Sequence, residues 1–147
     1  MHQITYKNIH NRFKLNGIHI TREEMFYVAY SFIKEGKPFE QHIGTFLLDW
    51  FDEKSYIELS TSGTTGVPKV IRIEKQAMLD SALATGDFFG LEPGDTMLHC
   101  LPTNYVAGKM MWVRSFILGL DMKFVEPTSN PLDKIDESFD FCAMVPL

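Results

Sequence analysis

The sequence predicts an α/β fold, a mostly parallel sheet flanked by helices, with one strand-loop-strand crossing. Three observations predict it. From residue 55 onward, short apolar runs of strand length alternate with amphipathic stretches of helix length, the order that generates βαβ units. Two alternating runs, Tyr56-Ile57-Glu58-Leu59 and Val70-Ile71-Arg72-Ile73, flank a stretch of small hydroxyl and glycine residues. The helical stretches also carry start and stop signals at their ends.

Taken in order, Asn16-Gly17 reads as a tight turn between short extended pieces. Thr21-Arg22-Glu23-Glu24 is a capping box, after which Met25, Val28, Ala29, Phe32 and Ile33 share one helical face up to Gly36. Pro38 opens a second helix with a stripe of Phe39, Ile43, Phe46, Leu47 and Trp50. These elements make residues 1–54 a helical lead, and residues 55–147 the first part of the α/β domain. Asp52-Glu53-Lys54 reads as a solvated loop. After the crossing, a helix is expected from Gln76 to Phe89, then a turn at Glu92-Pro93-Gly94-Asp95 and a buried strand from Thr96 to Leu101. Pro102 to Tyr105 is a loop, followed by a helix through Leu118 that Gly119 closes. A strand from Met122 to Val125, a short helix opened by Asn130-Pro131 and a last strand from Phe139 to Val145 complete the reading.

Composition bounds the function. The 147 residues are enough for one domain with a core, and 45% are apolar. A net charge of −5 argues against a nucleic-acid surface, and no apolar run is long enough to span a membrane. The N-terminus lacks the apolar stretch of a signal peptide. Cys100 and Cys142 both sit in apolar runs, so buried free thiols are expected and a reducing cytoplasm fits. His2, His10, His19, His42 and His99 have no partners at zinc-like spacing, so no protein metal site is expected. There is no G-x-S-x-G, and Ser62 has no assignable base, which leaves a hydrolase poorly supported.

The crossing itself is Thr61-Ser62-Gly63-Thr64-Thr65-Gly66-Val67-Pro68-Lys69. It has hydroxyls, glycines and a lysine but no acid. Glycine lets successive amides turn toward one point, and Lys69 adds a compact charge, so the stretch suits a polyphosphate. The G-x-x-x-x-G-K-[ST] pattern does not fit, because Val67 and Pro68 separate Gly66 from Lys69 and the flanks run strand to strand.

The stretch T-S-G-T-T-G-V-P-K-V resembles the phosphate-binding signature of the adenylate-forming superfamily of acyl- and aryl-CoA ligases, luciferases and peptide-synthetase adenylation domains. The resemblance implies that a carboxylate attacks the α-phosphate of ATP, releasing pyrophosphate, and that a thiol such as that of coenzyme A then displaces AMP. It implies an ATP-phosphate site of Thr61, Ser62, Gly63, Thr64, Thr65, Gly66 and Lys69, with Mg²⁺ bridging the phosphates. Leu101-Pro102-Thr103-Asn104-Tyr105-Val106-Ala107-Gly108 resembles the superfamily's L-P-x-x-H-x-x-G segment, which implies an acyl-substrate pocket bordered by Asn104, Tyr105 and Gly108. Tyr105 stands where the family usually has His; it keeps a ring and a hydroxyl, and an ordinary packing role is the competing reading. Lys109 reads as solvated, with neutralisation of a carboxylate substrate as the alternative.

The match covers residues 55–147, and family segments for adenine, ribose and the late catalytic lysine are not among them. The chain is therefore expected to be an inactive N-terminal fragment, with self-association through an uncovered sheet edge. Its compact lead resembles bacterial 2-succinylbenzoate–CoA ligases of menaquinone synthesis, with phenylacetate-type ligases next. A nucleotide-binding or interaction module that does no chemistry is the reading from a different class.

Overall fold

The computed structural model describes residues 4–60 in full, the backbone of Thr61, and residues 66–145. In chain order the elements are β1 (Lys14–Leu15), β2 (Ile18–His19), α1 (Arg22–Glu35), α2 (Pro38–Trp50), β3 (Tyr56–Thr61), β4 (Lys69–Glu74), α3 (Lys75–Phe89), β5 (Thr96–His99), α4 (Val106–Leu118), β6 (Asp121–Phe124) and β7 (Phe141–Cys142).

Local signals set most of these boundaries. Thr21 Oγ1 accepts from the Glu24 amide at 3.2 Å while Glu24 reaches back to the Thr21 amide, so the capping box starts α1. Pro38 opens α2, and Glu40 accepts from the Lys37 amide at 3.0 Å. Asn16 and Gly17 adopt φ of 51° and 80°, the twist that suits a two-residue hairpin.

The main sheet runs β2-β1-β6-β5-β7. Only β1 and β2 pair antiparallel; β1–β6, β5–β6 and β5–β7 are parallel, and β5-α4-β6 is a βαβ unit. The fold is thus the mixed α/β arrangement that the alternation predicts, with helices flanking a mostly parallel sheet. The β1–β2 hairpin of the N-terminal lead is part of that sheet, through Lys14↔Asp121 and Leu15↔Met122. The core gathers Trp50, Phe46 and Phe13 with Trp112, Phe116 and Met122 from α4 and β6.

Several elements depart from the sequence expectation. β3 and β4 form a separate two-stranded sheet. A strand inside a parallel sheet is apolar on both faces. β4 reads Lys-Val-Ile-Arg-Ile-Glu and is exposed from Lys69 to Arg72, whereas Met97, Leu98 and His99 of β5 are buried. The helix expected at Asn130-Pro131 is a set of turns, closed by bonds such as Asp133 N to Asn130 O at 3.2 Å. Leu132 is exposed there, so no apolar stripe exists to carry a helix. The last strand is confined to Phe141–Cys142; just before it the Asp140 carboxylate accepts from Thr96 N at 2.8 Å and Thr96 Oγ1 at 3.1 Å.

The Asp52-Glu53-Lys54 loop is not simply solvated. Lys75, at the start of α3, is fully buried, and its Nζ donates to Asp52 Oδ1 at 2.9 Å. The Lys75 amide also donates to Ser55 O at 2.8 Å, and the ammonium lies 6.0 Å from the Trp50 ring centre. Burial pushes the Asp52 carboxyl up, but hydrogen bonds from Lys75 and Lys54 outweigh it and hold the group below its usual range. Removing one partner leaves the other charge uncompensated, which is costly for the fully buried Lys75 ammonium and much less so for the Asp52 carboxylate, which keeps access to water and a second partner in Lys54. Asp52→Ala should therefore lower stability in urea by about 2–3 kcal/mol, and Lys75→Met by less than about 1 kcal/mol. Because the folded carboxyl value lies below the unfolded one, the Asp52 contribution is complete above pH 3.8 and fades as pH falls below it. Equal stability of Asp52→Ala and the parent at pH 7 would show the pair to be energetically idle.

Candidate functional site

The β3–β4 register runs from Tyr56↔Glu74 to Thr61↔Lys69, so the crossing closes on a Thr61–Lys69 backbone pair at its base. Ser62, Gly63, Thr64 and Thr65 lie outside the described residues. Gly66 has φ of 78°, a backbone conformation that calls for glycine, with no described residue within 4 Å of where a Cβ would stand. Val67, Pro68 and Lys69 are exposed as the chain returns to β4.

At the base of this crossing lies an open cleft of about 480 Å³, lined by His42, Phe46 and Asp49 of α2, Glu58 and Ser60 of β3, Pro68, Asn104, Tyr105 and Lys109. It brings the two sequence-predicted segments to one place. Pro68 comes from the crossing; Asn104 and Tyr105 come from the loop that precedes α4. Tyr105 is the N-cap residue of α4 and is 65% exposed, so its ring does not serve as a packing residue. Gly108 is buried, and a Cβ there would overlap the Pro102 carbonyl oxygen; glycine lets the first turn of α4 close against its own leading loop.

Of the charged residues that line the cleft, Asp49 and Glu58 are exposed and Lys109 is buried. Lys109 is only 8% exposed. Its Nζ donates to Thr103 O at 2.8 Å and lies 5.8 Å from the Phe46 ring centre, which corrects the solvated reading. Burial lowers its pKa, and the Asp49 charge partly opposes that. Burial raises the Asp49 carboxyl, and repulsion from Asp52 adds to the rise. Glu58 is paired across the hairpin with Arg72 at 3.3 Å.

Behind the Asn104–Tyr105 wall is a buried polar node that has no local sequence signature. Thr103 Oγ1 accepts from Trp112 Nε1 at 3.2 Å and meets His99 Nε2 at 2.9 Å. Its members come from β5, the loop and α4, with Thr103 four positions from His99 and nine from Trp112. Burial lowers the His99 pKa to about 3, so the ring is neutral. Cys100 and Cys142 are free thiols, as expected, but their sulfurs are 4.0 Å apart across β5 and β7. Burial pushes both thiols up, Cys142 to about 11.

Among the described residues no cluster of three or more His, Cys, Asp or Glu could hold a metal ion, and no helix is long and apolar enough to cross a membrane.

The residues that carry the crossing and most of the cleft fall within one family match. The AMP-binding enzyme family model matches residues 56–146, and the chain belongs to that family. Among solved structures, an acyl-CoA synthetase (AMP-forming)/AMP-acid ligase II-like protein from Dyadobacter fermentans is 36% identical, with a TM-score of 0.68 over 81% of this chain. This chain spans 34% of that protein's length. ATP-bound MatB from Rhodopseudomonas palustris is 26% identical over 46% of this chain and 14% of its own, with a TM-score of 0.41. Comparison with curated proteins yields no match.

The neutral, buried His99 generates a pH prediction. Its folded pKa of about 3 lies below the unfolded 6.5, so the unfolded chain binds more protons between those values. Stability is complete above pH 6.5 and falls on acidification through this window, by up to about 1.4 kcal/mol per pH unit from this one group. Urea titrations at pH 7 and pH 5 should show the loss, and His99→Gln, whose amide oxygen can accept from Thr103, should reduce it. A pH-independent midpoint over this range would rule out a buried neutral imidazole.

Proposed function

We propose that the chain belongs to an ATP-dependent acyl- or aryl-acid–CoA ligase. The observation that carries this reading is the cleft at the base of the T-S-G-T-T-G-V-P-K crossing, walled by Asn104 and Tyr105. Family membership supports it. In the proposed reaction a carboxylate oxygen attacks the α-phosphorus of ATP, pyrophosphate leaves, and the thiol of coenzyme A then displaces AMP from the acyl-adenylate. The first step needs no protein nucleophile; positioning and charge neutralisation carry it. Thr61, Ser62, Thr64 and Thr65 would donate hydroxyl hydrogen bonds to the phosphates, Gly63 and Gly66 would allow close approach of the backbone, and Lys69 would supply positive charge. Mg²⁺ would arrive on the phosphates of ATP, which suits a cleft with no built cation cluster among its described residues. The acid would lie against Asn104 and Tyr105, with Gly108 setting the start of α4.

The finer reading is a 2-succinylbenzoate–CoA ligase of menaquinone biosynthesis, in a cytoplasmic setting. A phenylacetate-type ligase is the alternative. The decisive measurement is acid-dependent exchange of labelled pyrophosphate into ATP by the full-length protein, across a panel of carboxylic acids that includes these two. No exchange with any acid would favour a nucleotide-binding module that does no chemistry, and exchange that needs no acid would overturn adenylation of a carboxylate as the reaction. Lys69→Ala and Thr65→Ala should each lower acid-dependent exchange by about tenfold or more. Unchanged exchange in both would remove the crossing from the phosphate site.

A further inference from the structure

We propose that Thr103 is a positioning residue for the acid-binding wall of the cleft. The proposal rests on the reading of that cleft as the acid site. Asn104 and Tyr105 face the cleft and are exposed, and neither makes a side-chain hydrogen bond to the described residues. Their place is therefore set by the backbone on either side. On the C-terminal side Tyr105 caps α4, its carbonyl accepting from the Lys109 amide at 3.0 Å. On the N-terminal side the anchor is Thr103, which is 2% exposed.

Thr103 is gripped at both of its polar ends. The Trp112 indole N–H can only donate, so Oγ1 is the acceptor of that 3.2 Å bond. Among the described residues the acceptor in reach of the hydroxyl proton is His99 Nε2 at 2.9 Å, in the tautomer that leaves this nitrogen unprotonated. That assignment puts the ring proton on Nδ1, a buried atom with no partner among the described residues. The Thr103 carbonyl oxygen accepts from Lys109 Nζ at 2.8 Å. A valine has the same shape but would leave the indole N–H and the imidazole nitrogen buried and unmet, so the loop would shift to find other partners. Serine keeps the hydroxyl.

The test is steady-state exchange kinetics on the full-length protein, with the best acid of the panel and ATP varied separately. Thr103→Val should raise the KM for the acid by about tenfold and leave the KM for ATP within about twofold; Thr103→Ser should stay within about twofold of the parent in both. Trp112→Phe, which removes the donor and is not one of the cleft-lining residues, should raise the acid KM by about threefold. A residue that merely supports folding would lower the amount of active enzyme with both KM values unchanged, and that result in Thr103→Val would overturn the proposal. If Thr103→Val does not accumulate as folded protein, Trp112→Phe decides: an unchanged acid KM overturns it. A parent protein with no acid-dependent exchange overturns the ligase reading itself, and this proposal with it.

Discussion

The Lys75–Asp52 pair is the constraint on which the rest of the site depends. The β3–β4 hairpin stands apart from the main sheet, and much of β4 is in water. Of its apolar side chains only Ile57 is fully buried, with Leu59 and Ile73 half-covered. Full burial of one such side chain is worth about 1.5–3 kcal/mol, so apolar packing alone holds the hairpin weakly. The ion pair acts at its root. Lys75 follows directly on β4, Ser55 directly precedes β3, and Asp52 is the last turn of chain before it. One ammonium, one carboxylate and the Lys75–Ser55 backbone bond thus tie the two feet of the hairpin to the end of α2. The carboxylate keeps partial access to water, which limits its desolvation cost, while the ammonium has none.

A second polar node does similar work on the opposite wall. His99, Thr103, Trp112 and Lys109 fix the loop between β5 and α4 without a solvent-exposed bond. Aromatic packing around Trp112, against His99, Phe116 and Phe124, encloses the node and excludes water from it. Burial cuts both ways. Each bond is stronger in a low-dielectric surrounding, and each missing partner is costlier. The core therefore sets where α4 lies, and the polar node sets where its leading loop points.

Features that depend on neighbours within a few residues were legible in the sequence. The Thr21–Glu24 cap, the Asn16-Gly17 turn, the helix through Leu118 and the two flanks of the crossing are of this kind. The parallel sheet followed from the alternation of elements, but its order did not, because nothing in Lys14-Leu15 advertises pairing with Asp121-Met122. Charges were the main failure. Asp52 and Lys75 are 23 positions apart, and Lys109 finds Thr103 only because Gly108 lets α4 close on its own loop. In one dimension each looks like a solvated residue. The segment from Asn130 failed for the opposite reason: a good helix start was read where no apolar stripe followed it. Of the candidate site, the motif segments were legible and the cleft joining them was not, since His42 and Asp49 of α2 carry no motif at all.

The burial of Lys109 also changes what the cleft can recognise. An ammonium that already donates to a backbone carbonyl, on a wall shared with Asp49, is a poor isolated anchor for an incoming carboxylate. Asp49 and Glu58 both line the same space, and Glu58 is balanced by Arg72 on the outer hairpin. The described lining is then close to charge-balanced, with a phenol, an amide, an imidazole and the hydroxyls of Thr45 and Ser60 as its remaining polar groups. Neutral donors and acceptors of this kind discriminate by shape and hydrogen-bond pattern, whereas a net charge would attract any acid alike. On the proposed reading, strong attraction for anions would belong instead to the crossing, whose sequence carries Lys69 and the hydroxyl run. Selectivity and charge neutralisation would then be divided between two segments that only the fold brings together.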